Sequence, residues 1–296
     1  MLVSIIVITY NSSPYVLETL ESTYRQTYPD LELIVSDDCS TDNTFALCQK
    51  WVSAHASRFR RAICTQTPRN LGICGNYNHA LTHATGEWVK FIAGDDILLG
   101  NCIQAMANHI TKGIPLYFSG TEHISASGEH INHSLTPLPN LCNPMRQLRQ
   151  LLRYRYCLEG CTLFVSRAHA IAMGGFDMTY PMVEDYPFIV KTLSSGKRIF
   201  TIPQPLVKWR NHANGVSSAN RFGFMDSCSL AYTDSMKRYA IKLCLPLHLY
   251  HCLLNDWIVL HHHHKHARLL GYLLRCIDLV QLKRKIFPVA QLRVQA

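Results

Sequence analysis

Within residues 1–120, short β-rich runs alternate with helix-length amphipathic stretches, and this alternation restricts the chain to α/β architectures built from βαβ units. "SIIVITY" (4–10), "LELIVS" (31–36), "RAICTQ" (61–66), "EWVKFIA" (87–93) and "IPLYFSG" (114–120) read as five strands. The intervening segments read as helices, the first capped by Ser12 or Ser13 with Pro14 at its start, the second by Ser40, Thr41 or Asp42. Near-continuous apolar strands indicate a mostly parallel sheet covered on both faces by helices.

Two of these strands end in paired carboxylates, Asp37–Asp38 and Asp95–Asp96. A single pair would read as a turn or a cap for the next helix. Two pairs at equivalent strand ends point to one cleft, because ligands of open parallel sheets bind beyond the carboxyl ends of the strands. Carboxylates gathered there call for a hard cation such as Mg²⁺ or Mn²⁺ holding a diphosphate, or for hydrogen-bond donors of a nucleoside.

Beyond residue 120 the pattern weakens. Residues 121–143 read as polar loop, 145–155 as a helix, and "CTLFVS" (161–166) as a strand before a short helix. Gly174 and Gly175 mark a turn, a helix follows from about Asp185, and "RIFTI" (198–202) and "PLVKWR" (205–210) read as two closing strands. After Ser227 the chain reads as helical and basic. Residues 1–235 carry 19 Lys/Arg against 18 Asp/Glu, whereas residues 236–296 carry 10 against 2. A near-neutral body of this kind is not a nucleic-acid-binding face. The 12 cysteines lack paired spacing and read as free thiols of a reducing cytosol. The opening "MLVSIIVITYN" lacks a basic leader and reads as a buried first strand.

The stretch "VSIIVITYNSSPYVLETLESTYRQTYPDLELIVSDDCSTDNT" resembles the opening of family 2 glycosyltransferases, and "RNLGICGNYNHAL", "GEWVKFIAGDD", "GGFD" and "VEDYPF" follow in that family's order. The resemblance covers about residues 2–215. It implies a GT-A (Rossmann-like) α/β fold, residues 1–226, with a nucleotide-binding half (about 1–120) and an acceptor half (about 121–226). A helical, basic extension, 227–296, follows.

The same resemblance implies roles at matching positions. Thr9, Tyr10 and Asn11 line the nucleotide pocket, Asp38 with Asp37 contacts the base, and Arg69, Asn70 and Gly72 approach the nucleoside. "AGDD" occupies the metal position, with Asp96 and Asp95 as ligands of Mn²⁺ or Mg²⁺, and Asp95 also near the ribose. Ala93 stands where many members carry a further aspartate. Asp185 is the expected base and Glu184 the acceptor contact, although without the upstream motifs a plain helix N-terminus is the preferred reading of these two residues. Arg210 is expected at the donor, and His212 at the metal or diphosphate, with a plain loop histidine as the competing reading. Trp209, at a strand end, reads as core before it reads as a sugar platform.

The implied activity is inverting transfer of a hexose from a nucleotide sugar, UDP-linked, to a glycan or lipid-linked sugar in O-antigen or capsule biosynthesis. The implied location is the cytoplasmic face of the membrane. Lys265, Arg268, Arg275, Lys283, Arg284 and Lys285 among Leu and Ile read either as a peripheral anchor on anionic lipid or as a solvated helical cap. The run at 261–266 reads as a solvated, His-rich helix end. Two other functions stay open: a sugar nucleotidyltransferase, whose phosphate loop "TYNSSPYV" does not supply, and a non-catalytic nucleotide-sugar binding protein.

Overall fold

The computed structural model describes residues 1–135, 138–154, 158–180, 182–216, 221–239 and 243. One compact unit comprises residues 1–151 and 155–232; a second comprises 152–154 and 233–296. The basic segment beyond 239 therefore lies, but for residue 243, outside the described residues.

The expected strand–helix alternation forms: β1 (Val3–Thr9), α1 (Val16–Tyr24), β2 (Leu31–Asp37), α2 (Thr44–His55), β3 (Arg61–Gln66), α3 (Gly72–His83) and β4 (Trp88–Ala93). β1 and β2 are buried along their whole length, as strands covered on both faces require. There follow β5 (Ile97–Leu98), α4 (Cys102–Asn108), β6 (Leu116–Ser125), β7 (His130–Ser134), α5 (Pro144–Tyr154), a 3₁₀ turn (Gly160–Thr162) and β8 (Phe164–Ser166). The last elements are α6 (Arg167–Ala172), α7 (Asp185–Ser194), β9 (Ile199–Asn211) and α8 (Arg221–Tyr239).

Among the described residues the sheet runs β3–β2–β1–β4–β8–β6–β9–β5, with β7 beside β6. β3, β2, β1 and β4 are parallel. β8 is antiparallel to both β4 and β6, and β6 runs parallel to β9. β5 follows β4 directly in the chain yet pairs antiparallel with β9 at the far end of the order, so the sheet curls back on the tip of β4.

Several elements differ from the sequence reading. α1 starts at Val16, since the backbone N–H groups of Tyr15 and Val16 both turn back to the Ser12 carbonyl. Residues 121–134 form strand and hairpin; the β7 side chains are mostly exposed and polar, which removes the apolar alternation that betrays a strand. The two closing strands are one, β9, with the Pro203–Pro205 stretch absorbed by register shifts opposite Gly120. Gly120 is needed there, because a Cβ would stand 2.7 Å from the Ser134 carbonyl oxygen. α8 begins six residues before the expected position.

Lys90 and Glu32 are charged side chains that lie fully buried within the sheet. Lys90 on β4 donates to the carbonyls of Phe91 and Cys161, each at 2.5 Å, tying the parallel half to the 3₁₀ turn. Glu32 on β2 accepts from Ser4 Oγ (2.6 Å), the Thr85 N–H (2.8 Å) and Arg61 (2.8 Å). Burial raises the Glu32 pKa, but these hydrogen bonds outweigh it and hold the carboxyl below its usual range. The resulting stabilisation is complete above the unfolded-chain pKa and is lost as pH falls through the folded one. Glu32→Gln is expected to lower the unfolding free energy at pH 7 by about 2 kcal/mol. Urea titrations at pH 7 and pH 4 should show that deficit shrinking in acid.

Candidate active site

The carboxyl ends of β1, β2 and β4 bring the first residues together. Asp37 is fully buried and accepts from Thr9 Oγ1 (2.9 Å), Ser40 Oγ (2.5 Å), Ser40 N (2.8 Å) and Gln66 Nε2 (2.9 Å). Four donors fill a carboxylate's capacity. The expectation that Asp37 helps read a base therefore gives way to a role in holding the loop after β2. Asp38 accepts from Thr67 Oγ1 and the N–H groups of Leu71 and Gly72, all at 2.8 Å, leaving one acceptor position on Oδ2. Gly72, at φ +74, adopts the left-handed conformation that lets its N–H turn to Asp38.

Asn11 (φ +49) accepts from the N–H groups of Thr41 and Asp42, stitching the β1 end to the loop after β2. Thr9 is buried against Asp37, whereas Tyr10, Arg69 and Asn70 are exposed around this end of the sheet.

β1 separates the two aspartate pairs. Thr9 pairs with Asp37 on one side, and on the other the Gly94 N–H donates to the Ile8 carbonyl at 2.8 Å. The pairs thus flank one strand, two strand spacings or about 10 Å apart. Asp96 is buried, and its Oδ1 accepts from the Arg210 N–H at 2.9 Å. Burial first, and then the neighbouring charge of Asp95, raises the Asp96 carboxyl well above its usual range.

Arg210 is turned inward, so the expected donor contact gives way to a positioning role. Its guanidinium donates to the carbonyls of Asp95 (2.9 Å) and Ala126 (3.0 Å) and to Glu18, and lies 5.0 Å from the Tyr15 ring centroid. His212 stands behind Asp95, with Nε2 3.0 Å from Asp95 Oδ2 and its ring 4.6 Å from Tyr15. Its Nδ1 is buried and has no hydrogen-bond partner among the described residues.

Asp95 Oδ1 and Asp96 Oδ2 receive no hydrogen bond from the described residues, and two adjacent carboxylates of which one is buried suit a hard divalent cation. No group of three or more His, Cys, Asp or Glu side chains among the described residues is arranged to hold a metal. Such an ion would complete its shell with phosphate oxygens and water.

The third acidic pair opens α7. Asp185 Oδ1 accepts the Tyr186 N–H at 2.6 Å. Burial and then the charge of Asp185 push the Glu184 carboxyl up to about 8. Burial also pushes Asp185 up to about 6, partly offset by backbone hydrogen bonds and helped by Glu159. Both carboxylates pack over Gly160, where a Cβ would overlap Glu184 Oε1. The Tyr77 hydroxyl is raised by burial and then by Glu184, Asp96 and Asp95, and the Cys161 thiol by burial and then by Asp96, Glu159 and Glu184. The 3₁₀ turn joins these elements: its Cys161 carbonyl accepts from Lys90 of β4, and its Gly160 lies under Glu184 and Asp185.

The "GGFD" turn is carried by α3: Asn78 accepts the Phe176 N–H (2.8 Å) and donates to the Phe176 carbonyl (2.9 Å), with Gly174 and Gly175 at positive φ. Trp209 packs against the core, 5.0 Å from the His123 ring. Gly160 and Glu159 belong to no motif singled out in the sequence, and an isolated Glu-Gly carries no signal of its own.

A parallel nucleotide-binding half, a mixed second half and acidic tips at the strand ends define a GT-A glycosyltransferase architecture. The family model for glycosyl transferase family 2 matches residues 4–170, and the chain belongs to that family. It is similar to WfaP of Escherichia coli, a UDP-Glc:alpha-D-GlcNAc-diphosphoundecaprenol beta-1,3-glucosyltransferase. The two are 29% identical over 223 residues, 75% of this chain and 81% of WfaP.

Two solved structures share the fold. The mannosyltransferase PcManGT of Pyrobaculum calidifontis, in complex with GDP-Man and Mn²⁺, superposes with a TM-score of 0.61 at 20% identity, covering 96% of this chain and 82% of that one. S. aureus TarS 1-349 in complex with UDP gives a TM-score of 0.57 at 23% identity over 78% of this chain, which spans 65% of the TarS fragment.

Removing the guanidinium would strand buried carbonyl groups and free the turn that carries Asp95 and Asp96. Arg210→Ala is expected to destabilise the chain by about 3 kcal/mol, read as a shift of the urea midpoint.

Proposed function

We propose that the protein is an inverting glycosyltransferase that moves a hexose from a UDP-linked donor to a hydroxyl of a sugar carried on polyprenyl diphosphate, in O-antigen or capsule synthesis. The observation that carries this reading is the 3₁₀ turn at Gly160–Thr162, which is tied to β4 through Lys90 and lies under Glu184 and Asp185, so that the strand leading to Asp95–Asp96 and the acidic start of α7 share one support. The similarity to WfaP, which acts on a lipid-linked acceptor, supports the choice of acceptor class.

In this mechanism Asp185 takes the proton of the acceptor hydroxyl while that oxygen attacks the anomeric carbon. The new C–O bond forms on the face opposite the breaking bond to phosphate, and the nucleoside diphosphate leaves with the electron pair. Asp95 and Asp96 would hold Mn²⁺ or Mg²⁺, which would supply positive charge where the diphosphate departs. Asp38 offers its remaining acceptor position to the base, with Tyr10, Arg69 and Asn70 at the pocket mouth. Asp185 at about 6 lies close to neutral pH, where a general base is most effective. Glu184, neutral below about 8, donates a hydrogen bond to the acceptor.

Because Asp185 must lose its proton to act, kcat/KM is expected to rise with pH through about 6. Asp185→Asn should leave UDP binding by calorimetry unchanged while transfer falls by about 10²-fold or more. Transfer within a few-fold of wild type would refute the assignment.

Among the described residues no helix is long and apolar enough to cross a membrane. On composition, the net charge of residues 236–296 fits peripheral contact with anionic lipid. The full chain is expected to sediment with phosphatidylglycerol vesicles at low salt, and a chain ending at residue 235 to stay in the supernatant. Equal sedimentation of the two would clear the tail of this role.

A further inference from the structure

Glu159 stands immediately before the 3₁₀ turn that underlies Glu184 and Asp185. Its carboxylate is clamped from one strand: Thr121 Oγ1 donates to Oε2, and His123 Nε2 lies 3.1 Å from Oε1. Thr121 and His123 are two apart on β6 and so share a face. The His123 ring is in turn held 5.0 Å from Trp209, its register partner on β9. The carboxylate is thus fixed in direction, yet its side chain keeps 30% exposure.

The comparison with Asp37 separates a structural from a binding carboxylate. Asp37 is fully buried and spends all four acceptor positions on the chain, whereas Glu159 has two donors among the described residues and half its capacity open. Around it, no Lys or Arg among the described residues forms an ion pair with Glu159, Glu184 or Asp185. A ligand bearing negative charge would be repelled here, while a neutral ligand rich in O–H donors would be held.

We propose that Glu159, held by Thr121 and His123, accepts a hydrogen bond from a second hydroxyl of the acceptor sugar, beside the one that Asp185 deprotonates, and so restricts the acceptor to uncharged sugars. This rests on the transferase reading above. It adds an acceptor-binding residue, and a charge rule for the acceptor, to that site.

The test uses the full chain with two synthetic probes, a short-chain lipid diphosphate bearing N-acetylglucosamine and the same lipid bearing a hexuronic acid. The donor is taken from a panel of UDP- and GDP-hexoses by release of nucleoside diphosphate. In Glu159→Gln, KM for the neutral probe is expected to rise about 10-fold or more, with kcat and donor KM little changed. Donor hydrolysis without acceptor should stay within about twofold of wild type, and use of the uronic acid probe relative to the neutral one should increase.

His123→Ala, which leaves the carboxylate but frees it, should raise acceptor KM in the same way, and it decides the matter if Glu159→Gln does not fold. A wild-type enzyme that transfers normally, beside variants whose acceptor KM and charge preference are unchanged, would overturn the role of Glu159. Failure of the wild type to release nucleoside diphosphate from any donor would instead overturn the transferase reading itself.

Discussion

The site depends on a guanidinium buried where the curled sheet meets itself. Arg210 lies one residue from the end of β9, and its backbone and side chain together hold the turn after β4, so the final strand of the chain is fastened to the tip of a central one. Taking such a charge out of water costs several kcal/mol unless its donors are matched. Here carbonyl oxygens of Asp95, Ser125 and Ala126, the Glu18 carboxylate and the Tyr15 face supply the match. Without that closure Asp95 and Asp96 would sit at the end of an open sheet, and His212 would have no reason to meet them.

Chemically similar side chains have different fates because the donors around them differ. Asp37 is filled by hydroxyl, amide and backbone N–H donors and organises the loop after β2, whereas Asp38, with three such donors, keeps one acceptor position open. Asp96, which is buried, and the half-buried Glu184 and Asp185 have too few donors, and their pKa values climb. Raised carboxyl groups of this kind mark a place prepared for a cation or for proton traffic, and groups held in that state lower fold stability above the usual carboxylate range. Glu32 lies at the opposite limit: as buried as any of them, fully supplied with donors, and stabilising.

Much of this was legible in the sequence. β1, β2 and β4 carry long apolar runs, and their boundaries fall within a residue or two of the reading, because burial on both faces leaves little room for polar residues. The aspartate pairs and the acidic start of α7 were visible as charges out of place. What sequence could not convey was direction. Arg210 looks like a ligand-binding arginine until the curl of the sheet points it inward, and Asp37 looks free until Thr9, Ser40 and Gln66 surround it. The β6–β7 hairpin was hidden by its polar outer face, and Glu159 became visible only once β6 brought Thr121 and His123 to it.

One small contact bears on how such a molecule can diversify. Asn78 meets both the N–H and the C=O of Phe176 with its side-chain amide, imitating a neighbouring strand, and Gly175 leaves no side chain in the way. That grip anchors residues 174–176 to a helix of the nucleotide half, while the stretch up to Glu184 is held by other means. Replacements at the exposed residues Asp177, Met178 and Thr179 can therefore vary the surface beside this turn without disturbing its foundation, leaving descendants of this chain free to try new partners on an unchanged engine.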